Sequence, residues 1–532
     1  MDLDRHICDR ARRSRDPRFD GRFFIAVKTT GIYCRPICPA RSPKDQNVIY
    51  FPTAAAAEAA GFRPCLRCRP EASPGTPAWV GTSGIVSRGL RLIGDGALRG
   101  LGVPGQESLE SDAGVERLAA RLGVTARHLR RLFLKHLGAT PLEVALTRRV
   151  HFAKRLLDET SLPIQQVAFA AGFGSVRRFN GQIQRTFSRT PTELRRLKRR
   201  VARVAPDCYR FKLAYRPPYN WPAMLAFLAA RATAGVECVE GGRYHRTIRV
   251  DGRSGAIDVF QLDSQPALAL EVRFSDPRAL LVIVERVRRM FDLAADPGAI
   301  EAHLGRDRLL RRALEKHPGV RMPGAWDGFE LAVRAILGQQ VSVRGATTIA
   351  GRIATMFGTE VETHGGVERL FPDATALVNA PLEATGVMPA RAAAIRRLAR
   401  AVADNTLSLS PGCDDSAVVS ALTALPGIGP WTASYVAMRA LGEPDAFPSG
   451  DLVLRRMAGD LTASELERRS QAWRPWRAYA VMLLWHVAAQ QSQQSLGGRH
   501  VRSSPDVGRR RRAGRVADGG GTRIPARVHG AP

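Results

Sequence analysis

The sequence predicts a multidomain chain, mainly α-helical with α+β parts, and three observations predict it. At 532 residues the chain is too long for one hydrophobic core and should divide into about three or four domains. A helix, a glycine turn and a second helix occur around Gly123 and again around Gly172, about fifty residues later. The C-terminal half passes from strand-like segments into long helical ones.

Composition narrows the partners. Apolar residues make up 45%, ample for packed cores. Lys and Arg number 80 against 49 acidic residues, giving +31 and a pI near 11.1. The excess is spread along the chain, so a polyanion is the natural partner, nucleic acid before membrane. A GC-rich genome inflates Arg and Ala, but the motifs below ask for DNA independently. No apolar run reaches the ~20 residues of a membrane span. Met1 to Arg5 carry both charges and open no apolar stretch, so no signal peptide is expected. Cys8, Cys208, Cys238 and Cys413 are scattered singly, which fits a reducing compartment. A cytoplasmic location is expected.

The N-terminal element carries the strongest signal. A strand-like run, Phe23 to Val27, leads through Thr29, Thr30 and Gly31 to Cys34. Cys34 and Cys38, then Cys65 and Cys68, form two close pairs. Each pair can reach one tetrahedral metal from a tight turn, the pattern of a zinc site. Arg35 follows at once, and a thiolate beside a cation also suits a nucleophile. A Pro-, Gly- and Ser-rich linker, Pro70 to Pro77, ends this element.

The second element is helical. Val115, Leu118, Ala119 and Leu122 give a short amphipathic helix, and Leu129, Leu132 and Phe133 the next. The pattern recurs with Ile164, Val167 and Ala168, then Phe179, Ile183 and Phe187. This is tandem helix-turn-helix spacing, suited to successive major grooves. Arg127, His128, Arg130 and Arg131 face outward on the first unit, and Arg177, Arg178, Asn180 and Gln182 on the second. These residue types read base edges or clamp phosphate. Gly181 interrupts the last helix at a cost of about 1 kcal/mol relative to Ala. A basic stretch closing at Pro206 ends the element.

The third and fourth elements read as α+β and then all-α. Strands are expected over 246–250, 256–261 and 267–274, and helices over 280–291, 328–357, 391–404 and 479–489. Gly427 and Gly429 form a Gly-x-Gly turn directly before a helix, so backbone N–H groups can meet a phosphate there. About twenty residues later Asp451 follows Ser449 and Gly450 in a turn entering another helix. Alone, Asp451 reads as a helix cap. Beside a phosphate clamp, an ionised carboxylate also suits N-glycosidic cleavage, stabilising the sugar cation or activating water. Trp431, Tyr435, Trp485, Phe227, Tyr219 and Trp221 offer faces for an extruded base. From about Gln490 the sequence turns Gly-, Arg- and Ser-rich, with Arg509 to Arg512 consecutive. That tail is expected to be disordered.

These residues carry family resemblances. The stretch Ala26 to Arg41, with Thr29-Thr30-Gly31-Ile32-Tyr33-Cys34-Arg35-Pro36 at its centre, and Gly61 to Cys68 resemble the N-terminal domain of the Ada methyl-response family. The middle resembles the tandem helix-turn-helix of AraC-type regulators. From about Tyr209 to Ala489 the chain is similar to the AlkA alkylation-repair glycosylases, through Arg216-Pro217-Pro218-Tyr219, Ala335 to Gln339, the Gly427/Gly429 hairpin and Trp473 to Ala480. The resemblance implies domains at 1–75, 80–200, 207–295 (a TBP-like α+β subdomain) and 296–489 (a helix-hairpin-helix glycosylase), with a tail at 490–532. It implies one Zn(II) on Cys34, Cys38, Cys65 and Cys68, with Cys34 also accepting a methyl group from DNA phosphotriesters. It implies Asp451 as the glycosylase carboxylate and Trp431, Tyr435, Trp485, Gln339 and Phe227 as pocket residues for cationic N-alkylated purines. Arg35, Gln340, Gly427 and Gly429 are implied at the DNA. The implied partners are damaged and promoter double-stranded DNA and RNA polymerase.

The chain departs from these families at three points. The Pro-Cys-His-Arg signature of the second Ada methyltransferase domain is absent, so O6-alkylguanine repair is not expected. Gln340 stands where the glycosylases carry an apolar wedge, and Gly450 where a second acid precedes the catalytic one. A bifunctional repair enzyme that also regulates transcription is favoured over a zinc-containing transcription factor and over a glycosylase merely tethered to DNA.

Overall fold

Strand pairing explains why the paired cysteines converge. A computed structural model describes residues 4–75, 84–98, 112–197, 205–410 and 412–501, with side chains through residue 492. Its first sheet has the order Val48–Phe51, Phe24–Val27, Ile32–Cys34, Arg63–Pro64. The last pair is parallel, with Tyr33 beside Pro64, so Cys34 and Cys65 leave adjacent strands at the same end. Alternation of side chains gives the sheet two apolar faces. Phe23, Ile25 and Val48 pack with Cys8 and Ala11 of helix Arg5–Ser14, while Phe24, Ala26 and Tyr33 pack with Ala57 of helix Ala54–Ala59. The expected small α/β domain is present.

Both helix-turn-helix units form where the periodicity places them. Helices Asp112–Arg121 and Ala126–Leu137 make the first, and Ile164–Ala170 and Val176–Phe187 the second. The turn glycines Gly123 (φ +71°) and Gly172 (φ +83°) take the left-handed backbone that a side chain disfavours. Helix Pro141–Glu159 joins the units and starts on a capping box between Thr140 and Glu143. The apolar cores cross the expected boundaries. Ala55 of the cysteine module lies in the core of the first unit. The second unit shares a core with the following sheet, and Phe152 stacks on Phe211 at 6.0 Å.

That five-stranded antiparallel sheet has the order Cys208–Ala214, Ala267–Phe274, Arg253–Leu262, Arg243–Val250, Glu237–Glu240. Its three inner strands are the ones the sequence predicts, and the two unpredicted strands are its edges. The helix expected over 328–357 is broken into Gly328–Leu337 and Val343–Phe357. Gln340 adopts φ +54° at the break, and the Ser342 hydroxyl accepts from the Gly345 N–H at 3.2 Å to start the second helix. A hairpin, Thr359–His364 with Val367–Leu370, interrupts the part expected to be all-α. The last helix is Arg477–Val501, so it continues past 490, where the tail was expected to begin. Residues 502–532 lie outside the described residues.

A buried ion network fastens the sheet to helix Gly328–Leu337. Arg246 pairs with Glu237 at 3.0 Å and with Glu330, and Arg334 pairs with Glu237 at 2.7 Å and Glu330 at 2.8 Å. Burial alone would raise the Glu237 carboxyl, but Arg334 and Arg246 hold it down at about 2. Arg334 also donates to the Arg231 carbonyl. The network therefore fixes the segment after Phe227, which borders the site below.

Candidate metal centre and candidate base-excision cradle

The four paired cysteines meet at one point. Their sulfurs all lie within 4.8 Å of one another. Cys38 arrives by a turn whose N–H donates to the Arg35 carbonyl at 3.1 Å, and the Cys65 N–H donates to the Tyr33 carbonyl at 3.0 Å. Hydrogen bonds among the sulfurs push the Cys68 and Cys34 thiols up and hold Cys65 down. Four sulfurs so close cannot ionise together without a cation, and a tetrathiolate set is the soft, closed donor set zinc takes. The residues fit that ion. Cys34 is half-buried whereas Cys68 is buried, so the ligand singled out by sequence is also among the more accessible.

Arg35, expected at the DNA, has its guanidinium turned inward. It is buried, paired with Asp20 through both carboxylate oxygens, and donates to the Cys68 carbonyl at 3.1 Å. A buried cation needs such a partner, and the result is a brace behind the cysteine turn.

The helix-turn-helix faces agree with the sequence. Arg127, Arg131, Arg177, Arg178 and Asn180 are exposed, and His128, Arg130 and Gln182 are half-exposed. Arg130 pairs with Asp112 at 2.5 Å, Arg131 meets His128 Nδ1 at 3.0 Å, and Gln182 donates to the Thr186 hydroxyl at 3.3 Å. Gly181 is exposed with no atom within 4 Å of where its Cβ would stand. Nothing inside the molecule requires glycine there.

In the C-terminal half, distant segments assemble one cradle. Asp451 caps helix Leu452–Met457 by accepting from the Leu454 N–H at 2.9 Å. Its carboxylate also accepts from the Trp431 indole at 3.0 Å and the Trp485 indole at 3.1 Å, one on each oxygen. The capping carboxylate thus also sits between two indoles. Trp431 stacks on Tyr435 at 5.4 Å and 9°, and Tyr435 meets Trp485 at 6.1 Å. Burial would raise the Tyr435 phenol, but Arg439, donating to its oxygen at 2.8 Å, holds it below its usual value. The Arg439 guanidinium also lies 4.7 Å from the Phe227 ring, whose other neighbour is Arg231 at 3.8 Å. Phe227 therefore joins the cradle through Arg439.

Gln339 does so indirectly. Its amide donates to the Gly427 carbonyl at 3.1 Å and the Thr432 hydroxyl at 2.9 Å, and its carbonyl accepts from Arg391 at 2.5 Å. It ties the helix break to the hairpin. Gly427 (φ +93°) would place a Cβ 2.8 Å from Ala394, whereas Gly429 has open space and precedes helix Pro430–Val436. Gln340 stands exposed in the left-handed region, a strained conformation for a non-glycine residue. Tyr219 and Trp221 do not join the cradle; they pack with Tyr215 and Phe291 in the core. Arg439, Arg231, Arg391 and Thr432 escaped the sequence reading, because isolated arginines in a chain this basic carry no signal of their own.

A thiolate metal module, paired helix-turn-helix units and a hairpin-flanked aromatic cradle on one chain define a DNA-binding metalloprotein with a repair-type site. Family models match residues 7–71 (metal binding domain of Ada), 118–197 (helix-turn-helix domain) and 210–327 (AlkA N-terminal domain). The chain is 43% identical over 488 residues to the probable bifunctional transcriptional activator/DNA repair enzyme AlkA of Mycobacterium tuberculosis, covering 90% of this chain and 95% of that one. It is 32% identical to DNA-3-methyladenine glycosylase 2 of Escherichia coli, covering 54% of this chain and 100% of that one. It is 37% identical over 128 residues to the E. coli bifunctional transcriptional activator/DNA repair enzyme Ada, covering 24% of this chain and 31% of that one. The chain belongs to the family of bifunctional transcriptional activator/DNA repair enzymes AlkA.

Proposed function

We propose that the chain repairs two kinds of DNA alkylation damage and reports one of them to a promoter. The observation that carries the reading is the setting of Asp451, a carboxylate fixed on both oxygens by indole donors beside a stacked aromatic pair. A carboxylate that accepts from a donor on each oxygen is a well-oriented negative charge. It serves the glycosidic step by stabilising the sugar cation as the bond to the purine breaks. The electron pair leaves on the base, which a cationic N-alkylated purine accepts without prior protonation; water then adds to the sugar cation and gives a proton to solvent, leaving an abasic sugar. Trp431, Tyr435, Trp485 and Phe227 line the slot, Gln339 sets the hairpin, and Gln340 fills the gap left by the extruded base. Gly427 and Gly429 present backbone N–H groups to phosphate.

In the other chemistry the Cys34 thiolate attacks the methyl carbon of a phosphate methyl ester. The S–C bond forms, the C–O bond breaks with its pair on oxygen, and an anionic phosphodiester is restored. Zinc, held by Cys34, Cys38, Cys65 and Cys68, supplies the positive charge that keeps these sulfurs deprotonated at neutral pH. Methylation removes one thiolate charge, which lowers repulsion from DNA and strengthens promoter binding through Arg127, His128, Arg130, Arg131, Arg177, Arg178, Asn180 and Gln182. The working division is 1–75 for methyl acceptance, 80–200 for the promoter, 207–295 and 296–489 for base excision, with RNA polymerase as the regulator's partner and the cytoplasm as the compartment.

The test is to incubate the protein with methylated duplex DNA and map methyl groups by mass spectrometry. A single methyl on Cys34 is expected, and none would remove the transferase half. Promoter affinity of the methylated form, measured at two salt concentrations, should exceed that of the unmethylated form. Equal affinities would leave the helix-turn-helix units as a tether.

A further inference from the structure

Away from both sites, one carboxylate is held between two imidazoles. Asp258 lies on the sheet strand Arg253–Leu262 directly opposite His245 of strand Arg243–Val250. His364 ends the first strand of the hairpin that interrupts the helical part. Gly365 (φ +53°) and Gly366 (φ +78°) make the two-residue hairpin turn after it, the backbone such turns require. His245 Nδ1 lies 2.6 Å from Asp258 Oδ1, and His364 Nε2 lies 2.6 Å from Asp258 Oδ2. All three ligand-type atoms fall within 4.8 Å of one another. Cys238, opposite His245 on the edge strand, donates to the Gly365 carbonyl at 3.1 Å and seats the tip that carries His364.

We propose that His245, Asp258 and His364 form a second metal site, for a zinc-class divalent cation. Two physical arguments carry it. The first is charge. The Asp258 side chain is 8% exposed, and among the described residues its ion partners are these two imidazoles, with no Lys or Arg. In a chain of net charge +31, a buried carboxylate without a permanent cation is the exception, because burial of an uncompensated charge is costly. The second is geometry. Ligand atoms around a tetrahedral zinc stand about 3.3 Å apart, given bonds of about 2.0 Å. His245 Nδ1 and Asp258 Oδ1, 2.6 Å apart, need open by only about 0.7 Å, and His364 Nε2, hydrogen-bonded to the other oxygen of the same carboxylate, lies within the 4.8 Å that spans the three ligand atoms. A metal would take Nδ1 of His245 and Nε2 of His364, and the proton on each of those nitrogens would leave for the other ring nitrogen or for solvent. Two nitrogens and one carboxylate oxygen are borderline ligands that suit zinc better than calcium or magnesium. Water takes the remaining position. The site clips the hairpin to the sheet, beside the Thr247 hydroxyl that donates to the Arg369 carbonyl at 2.6 Å.

Metal content of the full chain tests this. After gel filtration with excess zinc, elemental analysis should give two ions per chain, one for each cluster. His364→Ala should retain one. Cys38→Ser with Cys65→Ser should also retain one, and that ion should leave with a mild chelator that takes one of the two ions from the parent chain. His364→Gln, which keeps the hairpin tip polar, guards against misfolding and should likewise retain one. A parent that binds a single ion, or a His364 variant that still binds two, overturns the proposal.

Discussion

The two proposed reactive centres are built in opposite ways. The sulfur cluster comes from two short segments, 34–38 and 65–68, brought together by one parallel strand pair. The carboxylate cradle draws on residues 227, 339, 431–435, 451 and 485, each from a different segment of the chain. On the proposed chemistry the reacting atom of the cluster is also a scaffold atom, so reaction would change the structure and could not be repeated. Asp451 is held by others, and on the same proposal turnover would leave it unchanged. Local assembly suits a one-shot signal, and dispersed assembly suits a catalyst.

The largest expected effect separates the two centres outright. Cys34→Ser should abolish methyl uptake while base release from methylated duplex continues at the parent rate. Asp451→Asn should do the reverse, cutting base release about 10²- to 10³-fold, the usual cost of losing one preorganised electrostatic group, with methyl uptake intact. If either substitution impairs both activities, the centres are not independent.

A smaller effect sharpens the cradle side. Trp485→Phe keeps an aromatic ring near Tyr435 but removes the indole N–H that donates to Asp451 at 3.1 Å. A hydrogen bond to a charged group is worth about 1.5–3 kcal/mol, so single-turnover base release should fall roughly 10- to 100-fold. A change confined to KM would place Trp485 in binding the base instead of orienting the carboxylate.

This contrast also explains what was legible in sequence. The cysteine pairs, the turn glycines 123 and 172 and the Gly-x-Gly hairpin are short-range patterns, and each is where it was expected. The break at Gln340 was not legible, because apolar periodicity continues across it from Ile336 to Ile349 and only the left-handed residue interrupts it. The burial of Arg35 was not legible because its partner, Asp20, lies fifteen residues away. His245, Asp258 and His364 are three unremarkable positions until a sheet register and a hairpin tip bring them together. Side chains that act through a distant partner leave no local trace.

The sulfur side has its own joint to the promoter-binding half. Tyr33, next to Cys34 and fully buried, donates to Glu58 at 2.8 Å and lies 3.0 Å from His151 Nε2, and the Thr147 hydroxyl donates to Glu58 at 2.8 Å. Thr147 and His151 belong to helix Pro141–Glu159, which joins the two helix-turn-helix units. Tyr33→Phe keeps the ring packed edge-on against Phe24 and removes the hydroxyl, at a cost of about 1 kcal/mol. Methyl uptake should persist while the gain in promoter affinity on methylation shrinks. An unchanged gain would make the joint purely structural.

A stability effect that leaves methyl uptake untouched lies in the base-excision half and reads out as pH dependence. Asp292 sits at the end of helix Leu280–Met290, where its carboxylate accepts from the Tyr479 hydroxyl at 3.0 Å and the Met322 N–H at 3.4 Å. Burial pushes its carboxyl up to about 6, against the opposing pull of Arg321 and these two hydrogen bonds. The unfolded chain titrates near 4, so the folded state holds the proton more tightly. The contribution to stability is therefore full below about pH 4 and is lost as pH rises through 6, a change on the order of 3 kcal/mol. Asp292→Asn cannot titrate and keeps an acceptor for Tyr479. Relative to the variant, the parent's thermal midpoint should fall between pH 4.5 and pH 7, the interval expected from that shift. Other carboxylates titrate in both proteins and cancel in the difference. Parallel midpoint curves would show that the Asp292 proton is not bound more tightly on folding. The methyl uptake of Cys34 should be the same in both proteins throughout, because the sulfur module has its own sheet and core.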